Sequence, residues 1–154
     1  MKKLVCMLIL SVLCLFVAQA GAAEVPAKDL VLVANIDVPG ATLDAGSVET
    51  IFLGKTSSVG NKKVEVTVLK AGDVHESFLK NYIKKTASQF TNSWKKLVFS
   101  GKAKMPKNFA TEKEMVAYIA KTSGAIGYVH VNTSTDASIM TDKVKVITIT
   151  IKKG

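Results

Sequence analysis

The chain has 154 residues and carries 21 basic against 12 acidic side chains, a formal charge of +9. Every basic residue is a lysine, so the bidentate guanidinium clamps that grip phosphate, carboxylate or guanine are absent, and nucleic-acid binding is disfavoured in spite of the charge. Both cysteines, Cys6 and Cys14, lie within the first 23 residues; the remainder can form no disulfide, thiolate metal site or cysteine nucleophile.

Those first 23 residues read as a signal peptide. Lys2 and Lys3 form a basic start, Leu4 to Val17 an apolar run, and Ala18 to Ala23 a mostly small-residue exit. An uncleaved anchor needs about 20 apolar residues, which suits this run less well, and a lipoprotein calls for a small residue where Leu13 precedes Cys14. The expected organisation is a signal peptide over 1–23 and one periplasmic domain over 24–154, enough chain for one core and too little for two.

Leu30 to Asn35 is a continuous apolar run of strand length, as expected for a central strand covered on both faces. Pro39-Gly40 ends it. Asp44 is the expected N-cap of a short helix whose Val48, Ile51 and Phe52 face inward and which Gly54 stops. Lys55 to Lys63 is a polar turn. Val64, Val66 and Val68 then alternate at strand period, and Phe78, Leu79, Tyr82 and Ile83 repeat along one helix face, with Lys70-Ala71-Gly72-Asp73 as the turn between them. Asp73 and Glu76 have the spacing of a capping box.

Ser88 is the expected cap of the next helix, with Phe90, Trp94, Leu97 and Val98 as its core stripe and Gly101 as its stop. Lys102 to Asn108 reads as a basic loop. Thr111 and Glu114 open a helix with Met115, Val116 and Ile119 inward, and Gly124 closes it. Ile126 to His130 is a buried strand, Asn132 to Asp142 a polar loop, and Val144 to Ile151 a terminal strand rich in β-branched residues. The expected fold is a single compact α/β domain, a mixed β-sheet flanked by helices.

No nucleophile–base pair or metal cluster stands out, so an enzyme ranks last and no cofactor is expected. His75 falls in a first helical turn, where it is either solvated or donates to an anion. His130 lacks a second histidine or acidic cluster at ligand spacing. Ser57, Ser58 and Ser77 could donate to an oxyanion, although serine is commonplace in turns. Lysines 84, 85, 95, 96, 102, 104 and 107 form either a solvated face or a surface for acidic lipid or protein.

Three segments together resemble the phosphate-type solute-binding proteins of bacterial ABC importers: Ile51-Phe52-Leu53-Gly54-Lys55, the Val64 to Ile83 unit, and Ser123-Gly124-Ala125-Ile126-Gly127-Tyr128-Val129. The resemblance implies one lobe of a type II periplasmic binding protein and a small oxyanion such as phosphate as ligand. It implies a site at the start of the second helix, with Lys70, Gly72, Val74, His75, Glu76 and Ser77 as ligand-binding residues. In the family an arginine precedes Gly-Ser-Gly-Thr at this turn. Here Leu69 takes the arginine position, and Asp73, Val74 and His75 follow Gly72, so mainly the backbone features of that site persist. The alternative is an envelope interaction module that keeps the fold without the ligand, its partner a membrane or envelope protein. Intact mass of the protein from the envelope fraction is expected to show loss of about 20 to 23 residues and no alkylatable thiol; a full-length chain there would overturn the expectation.

Overall fold

The computed structural model describes residues 25–151, so the segment read as a signal peptide lies outside the described residues. The strands are β1 (Leu30–Asn35), β2 (Thr42–Asp44), β3 (Ser58–Val59), β4 (Lys62–Lys63), β5 (Glu65–Leu69), β6 (Lys107–Phe109), β7 (Ala125–His130) and β8 (Val144–Thr150). The helices are α1 (Ala45–Phe52), α2 (Asp73–Phe78), α3 (Ala87–Phe99), α4 (Glu112–Lys121) and α5 (Val131–Thr135), and a π-helical turn, Leu79–Ile83, prolongs α2. Six strands form one sheet in the order β2-β8-β1-β7-β5-β6. β1 pairs antiparallel with β7 and β8, while β2–β8, β5–β6 and β5–β7 are parallel. The sheet is therefore mixed, as expected, with β1 the one strand running against the other five.

Alternation along β7 separates the two faces. A Cβ on Gly127 would stand 2.9 Å from the Met115 sulfur and 3.2 Å from Ile119, both on α4. Tyr128, the next residue, points to the opposite face. There its ring stacks on Phe78 with centroids 3.8 Å apart and lies 5.8 Å from Phe52. Trp94 of α3 completes this layer by donating its indole N–H to the Phe52 carbonyl at 2.9 Å. Helices thus cover both faces, and β1, with Leu32, Val33 and Ala34 fully buried, is the central strand its apolar run implied.

Pairing between β5 and β7 extends over Glu65–Ala125 and Val66–Ile126 and then stops. Beyond it the Thr67 hydroxyl donates to the Ile126 carbonyl, and the Leu69 N–H donates to the Tyr128 hydroxyl at 3.1 Å. Side chains replace the backbone ladder where these strands part, so the buried groups freed by the parting keep partners.

Several local expectations change. The N-cap of α3 is Thr86 rather than Ser88, because Thr86 and Gln89 make a reciprocal capping box. Thr111 caps α4 as expected, but Glu114 reaches back to Ala110 N–H instead of the cap. The polar turn over 55–63 contains the small β3–β4 hairpin, the basic loop over 102–108 ends in edge strand β6, and the polar loop over 132–142 begins within α5. β2 was not expected; it is a three-residue strand held parallel to β8. At the end of α3 the stripe turns outward, with Leu97 half-buried and Val98 exposed.

Where β1 ends and β7 begins, Asp37 gathers three segments. It pairs with Lys62 at 2.6 Å, accepts the Gly124 N–H at 3.0 Å and accepts a hydrogen bond from the Ser123 hydroxyl. The Lys62 and Ser123 hydrogen bonds hold its carboxyl down at about 2, against the ordinary 3.8. This contribution is complete above 3.8 and is lost as pH falls toward 2; it is small, because both side chains are about one-third exposed, at 33% and 32%. Gly124 has no substitute here, since its φ is +76° and a Cβ would lie 2.3 Å from the Lys63 carbonyl oxygen.

Gly127→Ala is expected to lower stability by about 1–3 kcal/mol, the usual range for forcing a methyl into a filled core. Urea unfolding midpoints of the two proteins check this, and equal midpoints would show that Thr67 and α4 yield without strain.

Candidate functional site

Because β5, β6 and β7 are parallel, their carboxyl ends, Leu69, Phe109 and His130, share one edge of the sheet. The chain leaves β5 toward α2 on the aromatic face and leaves β6 toward α4 on the other. Adjacent strands whose exits part in this way leave the crevice in which open α/β sheets take ligands. The Lys70 N–H, donating to the Phe109 carbonyl at 2.9 Å, ties the two exits together at its base.

Gly72 opens this edge. It caps α2 with a φ of +104°, where L side chains are strained, and nothing lies within 4 Å of the place a Cβ would occupy. The expected Asp73–Glu76 capping box does not form. Gly72 is itself the N-cap, no side chain caps the helix, and Asp73 stands one residue inside. The Glu76 N–H donates to the Gly72 carbonyl at 3.0 Å, which removes it from the expected donor set. The helix-start donors left over are the N–H groups of Asp73, Val74 and His75. The side chains of Lys70, Asp73 and Glu76 are exposed.

The His75 side chain is not solvated. It is 5% exposed, lies between Tyr128 and Phe90, and its Nδ1 is 2.5 Å from the Tyr128 hydroxyl. The Tyr128 oxygen already accepts the Leu69 N–H, so the phenolic proton needs an acceptor and Nδ1 is the one within reach. That assigns the tautomer with the proton on Nε2. Desolvation lowers the His75 pKa and pushes the Tyr128 hydroxyl well above its ordinary value. Of His75, only the backbone faces the open edge.

Ser77 is also turned inward, and its hydroxyl accepts the Val25 N–H at 2.9 Å. Together with Tyr82, which donates to the Ala27 carbonyl at 2.8 Å, it holds the first described residues along the flank of α2. The structure therefore brings Lys70, Gly72 and Val74 to the edge, leaves the Glu76 side chain exposed on the outer side of α2, and sends the side chains of His75 and Ser77 into packing.

Sequence reasoning passed over Glu112. Its carboxylate, in the first turn of α4, accepts the His130 N–H at 2.8 Å where β7 ends. A resident anion thus satisfies a backbone donor at the same edge. The sequence signal was available, since acidic residues favour a first helical turn, but the pairing across 18 positions was not. A depression of about 550 Å³ lies elsewhere, on the outer side of α2, lined by Glu76, Lys80, Lys84, Lys85, Thr86 and Gln89; shallow and of mixed charge, it suits solvated lysines better than an ordered ligand. Among the described residues no group of three or more His, Cys, Asp or Glu is placed to hold a metal. The Lys62–Ser123 hydrogen bond, 2.7 Å, is no nucleophile–base pair, because the ammonium is paired with Asp37 and has no lone pair to take a proton.

A buried neutral histidine fixes the sign of one pH effect. The unfolded chain takes up a proton near 6.5, while folded His75 resists until lower pH. Its stabilising contribution is complete above about 6.5 and is lost as pH falls below that value. Thermal midpoints measured between pH 7.5 and 5 are expected to fall in the parent protein and to flatten in His75→Gln, which keeps an acceptor for Tyr128 but cannot titrate. Parallel curves would show that His75 is not the group responsible.

Comparison with known proteins supplies the fold. No protein-family model and no curated protein sequence matches the chain. Solved structures do. An ABC-type phosphate transport receptor from Vibrio cholerae superposes with a TM-score of 0.54 at 17% identity, covering 79% of this chain and 46% of that one. PstS from Borrelia burgdorferi superposes with a TM-score of 0.59 at 13% identity, covering 79% and 47%. The chain spans less than half the length of either, and its six-stranded mixed sheet with flanking helices corresponds to one lobe of these structures.

Proposed function

We propose that this is an exported, non-catalytic solute-binding domain whose open strand edge takes a small oxyanion such as phosphate, in the manner of a substrate-binding component of an ABC importer. The observation that carries the reading is the uncapped start of α2. Gly72 leaves it clear, three N–H groups and the positive end of the helix dipole point out of the carboxyl end of β5, and Lys70 stands beside them. The fold likeness to the phosphate transport receptor from Vibrio cholerae supports the ligand class.

The same geometry makes such binding weak. The Asp73 carboxylate stands at the second position beyond Lys70-Ala71, where the resembling family has a hydroxyl, and Leu69 is buried and uncharged. Two like charges about 4 Å apart repel by roughly 4 kcal/mol at an effective dielectric of 20 and by about 1 kcal/mol in water. Because Asp73 is exposed, the lower figure applies, a penalty of about fivefold in affinity rather than exclusion. A second reading, an envelope interaction module without a ligand, is favoured by Glu112, whose carboxylate already occupies the His130 N–H at this edge.

Thermal unfolding against a panel of oxyanions separates the two. Ligand at a hundred times its dissociation constant adds about 2.7 kcal/mol, a midpoint shift on the order of 10 °C for a domain of this size. Phosphate is expected to raise the midpoint at millimolar concentration, and Asp73→Ser is expected to tighten binding about fivefold. A flat response to every anion in both proteins would leave the interaction module as the surviving reading.

A further inference from the structure

The end of α3 carries an apolar projection that the core does not use. Phe99 is 89% exposed, Val98 beside it in the chain is exposed, Met105 on the returning segment is exposed, and Trp94 and Leu97 occupy the inward side of the helix. Lys95 and Lys96 precede Phe99 by four and three residues and so share its helix face. The chain then turns back through Gly101 at φ +69°, with the Lys102 N–H donating to the Leu97 carbonyl at 2.9 Å, and Lys102 and Lys104 follow on the returning segment. Lys95, Lys96 and Lys102 are exposed, as is Lys104.

Charge along this part of the chain is of one sign. From Ser77 to Thr111 the sequence contains eight lysines and no acid. Lys80, Lys84 and Lys85 line the depression on α2 and Lys107 is engaged over the Tyr118 ring at 4.5 Å, which leaves Lys95, Lys96, Lys102 and Lys104 as the rim. A concave or flat apolar patch would suit a protein partner. A protruding aromatic at a helix end, ringed by long flexible ammonium side chains, instead fits a surface that is anionic outside and apolar beneath, where lysines lie over phosphates and the ring enters the acyl boundary. The lack of arginine points the same way, because point-charge contact with headgroups needs no fixed fork.

We propose that the α3 end, Phe99 with Val98 and Met105 rimmed by Lys95, Lys96, Lys102 and Lys104, is a docking surface for an anionic lipid bilayer. It is independent of the oxyanion edge, since it lies at the carboxyl end of α3 and shares no residue with the α2 turn.

The test places a reporter at the projection. In the full chain, Phe99→Trp adds an exposed indole to the buried Trp94, which serves as a constant background. With phosphatidylglycerol vesicles the added emission is expected to shift to the blue and to be quenched by bromine-labelled acyl chains. Phosphatidylcholine vesicles are expected to leave it unchanged. Neutralising Lys95, Lys96 or Lys102 to Gln is expected to weaken vesicle affinity about fivefold per lysine, as for basic side chains near an anionic surface, and raising salt to weaken it further. Because the readout is local to residue 99, insertion of any other segment of the chain does not imitate it. An emission that is already blue in buffer would show that the chain or a second copy covers Phe99, and would overturn the proposal. So would an indole that stays wet on anionic vesicles, an equal response to both lipids, or a response to an acidic polypeptide but not to vesicles.

Discussion

The Tyr128 hydroxyl is the point on which the strand edge depends. It accepts the Leu69 N–H just where β5 loses its backbone partner in β7, and it donates its own hydroxyl hydrogen bond to His75 Nδ1 in the first turn of α2. Its ring lies flat on Phe78, in the helix that the turn bearing Lys70 and Gly72 opens. Three elements that would otherwise separate are thereby fixed around one phenol. An unpaired N–H, hydroxyl or imidazole in this position would carry a desolvation penalty of about 1–3 kcal/mol, so each of the three groups secures the other two. The parting of β5 from β7, which gives the edge its opening, is tolerable because this side chain satisfies the donor left behind.

That node was partly legible in the sequence. The valines of β5, the stripe on α2 and the apolar run of β7 follow period rules that act within a few residues, and the elements they define are present. β1 was legible for the same reason, as an apolar run with no polar alternate. The caps were less so. Thr86 and Ser88 both suit an N-cap, and only the reciprocal bond with Gln89 selects the first. β2 and β6 are three residues each, too short to show a period, and exist because β8 and β5 offer them an edge.

The site divides along the same line. Lys70, Gly72 and Val74 could be placed from the turn alone, since a glycine before a helix start is a local signal. His75 could not. Its neighbours in the chain, Asp73, Val74 and Glu76, are exposed or half-buried, and it is drawn inward by Tyr128, fifty-three positions away. Ser77 is similar, held by Val25. Long-range polar pairs of this kind leave no periodic trace, which is why polar residues near a site are harder to assign from sequence than the apolar ones beneath it.

The π-helical turn at Leu79–Ile83 sets the spacing of everything on that flank. Its wider loop, closed by the Lys84 N–H on the Leu79 carbonyl and ended by Lys84 in the left-handed region, holds one residue more than an α-helical turn would. Phe78 can therefore stack on Tyr128 while Tyr82, a turn later, still reaches the Ala27 carbonyl. A one-residue deletion anywhere in the turn would convert it to ordinary α-helix and rotate the residues after it by about 100° relative to those before it, given 3.6 residues per turn. The flank is in this sense a counted length: it tolerates substitution of its exposed lysines far better than any change in the number of its residues.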